Sequence, residues 1–118
     1  MTSSEQNRRS PRVDHEVMVA VRAVHERSEF TGWGTNLSAS GVFVNTPAPP
    51  KPGVELSLLL QLPGIPECKL RGRVAWARAA GPGVDQAGMG VQFIEPDDQT
   101  QKLLAQMVQR LTVDLAAG

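Results

Sequence analysis

Glu16-Val-Met-Val-Ala-Val-Arg-Ala-Val24 is the stretch that decides the fold. Its valines fall at 17, 19 and 21, a period of two, and alternate strand side chains face opposite sides, so the segment reads as a half-buried β-strand. The polar run from His25 to Ser28 supplies a turn. Glu29 to Asn36 reads as a second strand, interrupted by Gly32 and Gly34, which signal a bulge or a close backbone approach. Gly41-Val-Phe-Val-Asn-Thr46 makes a short third. Pro47 to Gly53 then packs four prolines into seven residues, and because proline fixes φ and cannot donate to a ladder this is a stiff, extended connection.

Beyond it, Val54 to Leu62 sets Leu56, Leu58 and Leu60 on one face. Pro63-Gly-Ile-Pro66 turns the chain, Cys68 to Ala77 alternates again, Gly81-Pro-Gly83 breaks it, and Gly88 to Ile94 forms a last strand. Six short strands at even spacing predict a mainly β fold, a small sandwich or barrel. The period then changes. Asp97 or Asp98 can cap a helix, and Leu103, Met107, Leu111 and Leu115 recur every four residues with Leu104 and Val108 beside them. This amphipathic C-terminal helix is expected to lay its apolar stripe on the barrel and plug an open end.

With 118 residues, against roughly 150 per domain, one domain is expected, with no internal repeat. Twelve basic and twelve acidic side chains cancel, which argues against duplex nucleic acid held by phosphate neutralisation. No apolar run is long enough to span a membrane, and the polar start MTSSEQNRRS is not a secretory signal. One cysteine, Cys68, forms no internal disulfide and no zinc site alone. A soluble, cytoplasmic domain is the expectation. Nine of the twelve basic residues are Arg, whose planar fork suits phosphates and guanine edges.

Catalysis finds no support. His15 and His25 flank a strand at a spacing unsuited to a metal, and Cys68 has no paired His. The carboxylates are scattered, Asp97-Asp98 reads as a helix cap, and the glycine-rich spots lack the lysine and strand-loop-helix setting of a phosphate cradle.

Two motifs stand apart from the strand pattern. Asn7-Arg-Arg-Ser-Pro-Arg12 contains Arg-x-x-x-Arg at 8 and 12, just ahead of the first strand; Asn36-Leu-Ser-Ala-Ser-Gly41 is an Asn-x-Ser-x-x-Gly between the second and third. In that order, followed by VFV, VAWAR, GMGVQF and a helix, they resemble the PilZ domain, the bacterial receptor module for cyclic di-GMP. The resemblance spans residues 7 to 115, so residues 1–6 read as a tail and 7–118 as the domain. It implies a six-stranded antiparallel barrel with a C-terminal α-helix, no cofactor, and cyclic di-GMP as ligand.

Carried over residue by residue, Arg8 and Arg12 form a clamp and Arg9 an auxiliary phosphate contact. Arginine bonds the guanine N7/O6 edge bidentately and also binds phosphate. Asn36 and Ser38 offer an amide and a hydroxyl to guanine or phosphate, and Gly41 allows a close approach or a positive φ. Trp76 and Arg78 stand where some relatives bring a further aromatic and arginine; period two alone puts Trp76 on the buried face with Val74. Asn36 replaces the Asp of many relatives, and Asn7 leaves open one ligand or an intercalated pair. Drawing about six residues onto the ligand costs on the order of 6–12 kcal/mol, which charge-assisted hydrogen bonds of about 1.5–3 kcal/mol each offset.

The expected output is a reshaped surface read by an unknown partner protein. The alternative is a PilZ-like adaptor that binds protein and no nucleotide. A homodimer is compatible with the pattern and not demanded by it. A barrel for single-stranded nucleic acid ranks last, since aromatics are 4% of the chain.

Overall fold

The computed structural model describes residues 16–24 and 29–117; the expectations for Arg8, Arg9, Arg12, His15 and His25 lie outside the described residues. The elements are β1 (Val17–Ala23), β2 (Glu29–Thr35), β3 (Gly41–Asn45), β4 (Glu55–Leu62), β5 (Ile65–Arg78), β6 (Gly88–Phe93) and α1 (Asp98–Ala117). The strands close into a barrel in the order β1-β2-β3-β6-β5-β4. Every neighbouring pair is antiparallel, and β1 completes the ring by pairing β4 from Met18↔Gln61 to Ala23↔Leu56.

The alternation that marks β1 is the alternation that fills the interior. Val17, Val19 and Val21 are buried while Met18 and Arg22 face out. They share the core with Leu56, Leu58, Leu60, Val42, Val44, Val74, Met89 and Val91. Each such side chain contributes about 1.5–3 kcal/mol on leaving water, so one slip of register, which would turn the valines outward, is strongly selected against. The β1–β2 register runs unbroken, so Gly32 and Gly34 mark no bulge there. They mark close approach: a Cβ on Gly34 would lie 2.9 Å from both Val19 and Val42.

The chain between β4 and β5 is shorter than its sequence suggests. Proline at 66 pointed to a turn ending there, but β5 starts at Ile65, opposite Leu62. Pro66 falls inside a register shift of the β4–β5 ladder, where a missing N–H removes no ladder bond.

Helix α1 starts where Asp97 accepts, on Oδ1, a hydrogen bond from the Thr100 amide at 2.8 Å, an N-cap contact that satisfies one of the orphan donors of the first turn. These bonds to the charged form hold the Asp97 carboxyl below its ordinary pKa. Leu104 and Met107 are buried in the barrel core, with Leu103 packed against it, so the stripe covers the interior as expected. The side chain of Leu115 lies outside the described residues. Arg110 ties the helix to the β4–β5 turn, donating from Nη1 to the Pro63 carbonyl at 2.8 Å. Cys68 is fully buried in the same core, and desolvation, then the charge of Asp97, raises its thiol pKa. No helix among the described residues is long and apolar enough to cross a membrane.

Candidate ligand site

Asn36 to Ser40 join β2 to β3, and the turn is built largely from its own residues. Asn36 adopts φ 55°, a left-handed conformation that asparagine tolerates better than most side chains. Ser38 Oγ accepts from the Ser40 amide at 3.2 Å and from the Gly41 amide at 3.3 Å. The Ser38 amide donates to the Gly41 carbonyl at 2.9 Å, and the Phe93 amide donates to the Ser40 carbonyl at 2.8 Å, anchoring the turn to β6. Gly41 itself is required by space: a Cβ there would collide with the carbonyl oxygen of Val91. Its φ is not positive; that role falls to Asn36. The structure therefore brings Asn36, Ser38 and Gly41 into one turn and gives Ser38 a structural task.

Trp76 is not in the core. The β5–β6 register shifts between Val74↔Val91 and Trp76↔Gly90, so Ala75 is an extra residue that breaks the alternation. A bulge of this kind re-aims the side chain after it. Trp76 consequently points outward, 43% exposed, across Gly90, where a Cβ would collide with the indole ring. The indole stacks on Phe43, with centroids 5.4 Å apart and planes 25° from parallel. The Arg78 guanidinium carbon lies 5.3 Å from the Trp76 ring centroid, a cation–π arrangement, and Arg78 Nη1 donates to the Gln86 carbonyl at 3.3 Å.

Strand β3 links the two clusters. Gly41 and Phe43 stand two residues apart on it, on the face opposite the buried Val42 and Val44, a separation of about 7 Å along the strand. Phe43 was missed in the sequence, although its place between two core valines already marks it as outward-facing. Asn36, Ser38 and Arg78 are exposed. A concavity of about 840 Å³ lies elsewhere, along β1, β2, β4, β5 and residues 94–100, and includes none of these side chains. Among the described residues no group of three His, Cys, Asp or Glu is placed to hold a metal.

The chain that folds into this barrel, with its Asn-x-Ser-x-x-Gly turn, matches over residues 6–110 the family model described as PilZ domain. The chain belongs to the PilZ domain family. PilZ domains are generally cyclic di-GMP receptors, binding and regulatory modules without catalysis of their own. No curated protein matches the chain by sequence. Among solved structures it is similar to the Bacillus subtilis inhibitor of motility MotI/DgrA, with TM-score 0.66 and 20% identity over 85% of this chain and 48% of that one. It is also similar to the PilZ domain of CeSA from a cellulose-synthesizing bacterium, with TM-score 0.61 and 20% identity over 82% of this chain and 93% of that one. At such identities the likeness is one of fold, and this PilZ domain spans about half the length of the Bacillus protein.

Proposed function

We propose that this PilZ domain is a cyclic di-GMP receptor of the bacterial cytoplasm whose ligand is gripped between the Arg8/Arg12 segment and the Asn36–Gly41 turn. Arg9 adds a phosphate contact, and Trp76 and Arg78, with Phe43 behind them, extend the site along β3. The observation that carries the reading is the pairing Val17↔Gly34: the chain entering β1 comes in beside the end of β2, two residues before Asn36. Chain connectivity alone thus limits how far the arginines can be from the turn. The Asn36 amide, a neutral donor and acceptor, suits a site for a dianionic ligand, where a carboxylate would add repulsion. Ligand draws residues 7–12 against the turn, and the altered surface is read by a partner protein.

Isothermal titration of the full chain with cyclic di-GMP, with GTP and cyclic di-AMP as controls, tests this. Selective heat near one or near two ligands per chain is expected, and Arg8→Ala or Arg12→Ala is expected to abolish it while the circular dichroism spectrum stays unchanged. Equal affinity in both variants would overturn the site; no heat from the natural chain at high micromolar ligand would favour the protein-binding adaptor.

A further inference from the structure

The barrel is closed, yet its seams are unequal. β1 and β2 pair over six positions, from Val17↔Gly34 to Arg22↔Glu29. β2 and β3 pair over two, Gly34↔Val44 and Thr35↔Phe43. Past them β3 turns away toward β6, where the Thr46 amide donates to the Ala87 carbonyl at 3.2 Å. Among the described residues the first half of β2 has a strand neighbour on one side only.

The direction of its backbone groups follows from one contact. Asn45 Nδ2 donates to the Trp33 carbonyl at 3.2 Å, so at Trp33 the backbone points toward β3. In an antiparallel strand that direction repeats at every second residue. Thr31 and Glu29 therefore aim N–H and C=O away from β1, and among the described residues no backbone or side-chain group bonds them. Both residues are exposed. An unpaired strand edge of this kind is a template for another strand.

We infer that the Glu29–Thr31 edge of β2 is a docking site for an extended segment of a partner protein, added as a seventh strand, with apolar and basic residues alternating. The chemistry of the edge sets that pattern. Phe30 faces inward but is only partly buried, packed against the rim of the core, so alternate side chains of an added strand meet an apolar surface. The others meet the outer face beside Glu29 and the half-exposed Trp33, where a basic side chain gains a carboxylate and an indole. A second copy of this chain fits less well. Antiparallel pairing about Phe30 would set Glu29 against Thr31 of the other copy, which brings the carboxylate no basic side chain. The inference is independent of the nucleotide reading.

Thr31→Pro tests it cleanly, because the N–H it removes makes no bond among the described residues and proline is tolerated on an edge; Thr31→Val keeps the N–H. The probe is a short fluorescein-labelled peptide of alternating Val and Lys, followed by anisotropy, with a Val–Glu peptide beside it. Binding is expected to the natural chain and to Thr31→Val, weaker by about tenfold or more for Thr31→Pro and for the Val–Glu peptide. Exchange of the Thr31 amide in the natural chain is expected to slow about tenfold with the Val–Lys peptide, a readout that stands even if Thr31→Pro fails to fold. Equal binding by Thr31→Pro, no slowing at Thr31, or dimerisation of the natural chain that Thr31→Pro abolishes would each overturn the peptide site, the last by giving the edge to a second copy.

Discussion

The β2–β3 turn and the β4–β5 turn close hairpins of one barrel by opposite means. Between β4 and β5 the connection is two residues, Pro63 and Gly64, and the ladder behind it runs from Leu60↔Cys68 back to Glu55↔Arg73. The ladder fixes that turn. Between β2 and β3 only two residue pairs stand behind the connection, and the shape comes from Ser38, Ser40 and Gly41 bonding one another. A turn that holds itself can keep a binding surface in place although the seam beneath it is thin. Among the described residues the same thinness leaves the opposite half of β2 open.

Glycine substitution should separate the two most widely. Gly41→Ala forces a Cβ onto the Val91 carbonyl, a backbone group that cannot step aside, and is expected to cost about 3 kcal/mol, a fall in Tm of about 10 °C. Gly64→Ala meets only the tip of Arg110, at 3.0 Å, but sits at φ 85°, and is expected to cost about 1–2 kcal/mol. Thermal melts of the pair check the order, and a greater loss at Gly64 would mean that ladder-backed turns are the fragile ones. Ser38→Ala removes the acceptor for two amides and is expected to cost about 1 kcal/mol, with nucleotide affinity falling in step. Asn36 sharpens the point further: Asn36→Gly keeps the φ of 55° available, so its melt should change by about 0.5 kcal/mol or less while titration reports the loss of the amide to the ligand.

The smallest effect belongs to a third connection. Asp97 accepts from the amide three residues on, as Ser38 does from Gly41, so a carboxylate and a hydroxyl do the same task at the same spacing. The Asp97 pKa is lowered by those bonds. Its folded form therefore binds its proton less readily than the unfolded chain, and its contribution is present above the unfolded pKa and lost as pH falls through the folded one. A slightly shallower acid limb of Tm against pH is expected for Asp97→Asn.

Much of the barrel was legible because its local signals agree. Valines at 17, 19 and 21 mark β1, the prolines from 47 to 52 mark the long connection, and the spacing from Leu103 to Leu111 marks α1. What was hidden depends on partners distant in sequence. Ala75 carries no mark of a bulge, so nothing local turns Trp76 from the Val74 face to the surface; only its register against Gly90 does. Likewise Pro66 looks like a turn residue until the β4–β5 shift absorbs it. At the candidate ligand site the motif gave Asn36, Ser38 and Gly41, but that Gly41 is there for a close approach depends on Val91, fifty residues away.

The single thiol carries a last consequence. Cys68 is fully buried in the core that Leu104 and Met107 of α1 share, and its raised pKa keeps it in the unreactive protonated form. A thiol reagent can modify it only when that core opens. The rate of labelling is thus a clock for that opening, readable without adding any probe to the chain.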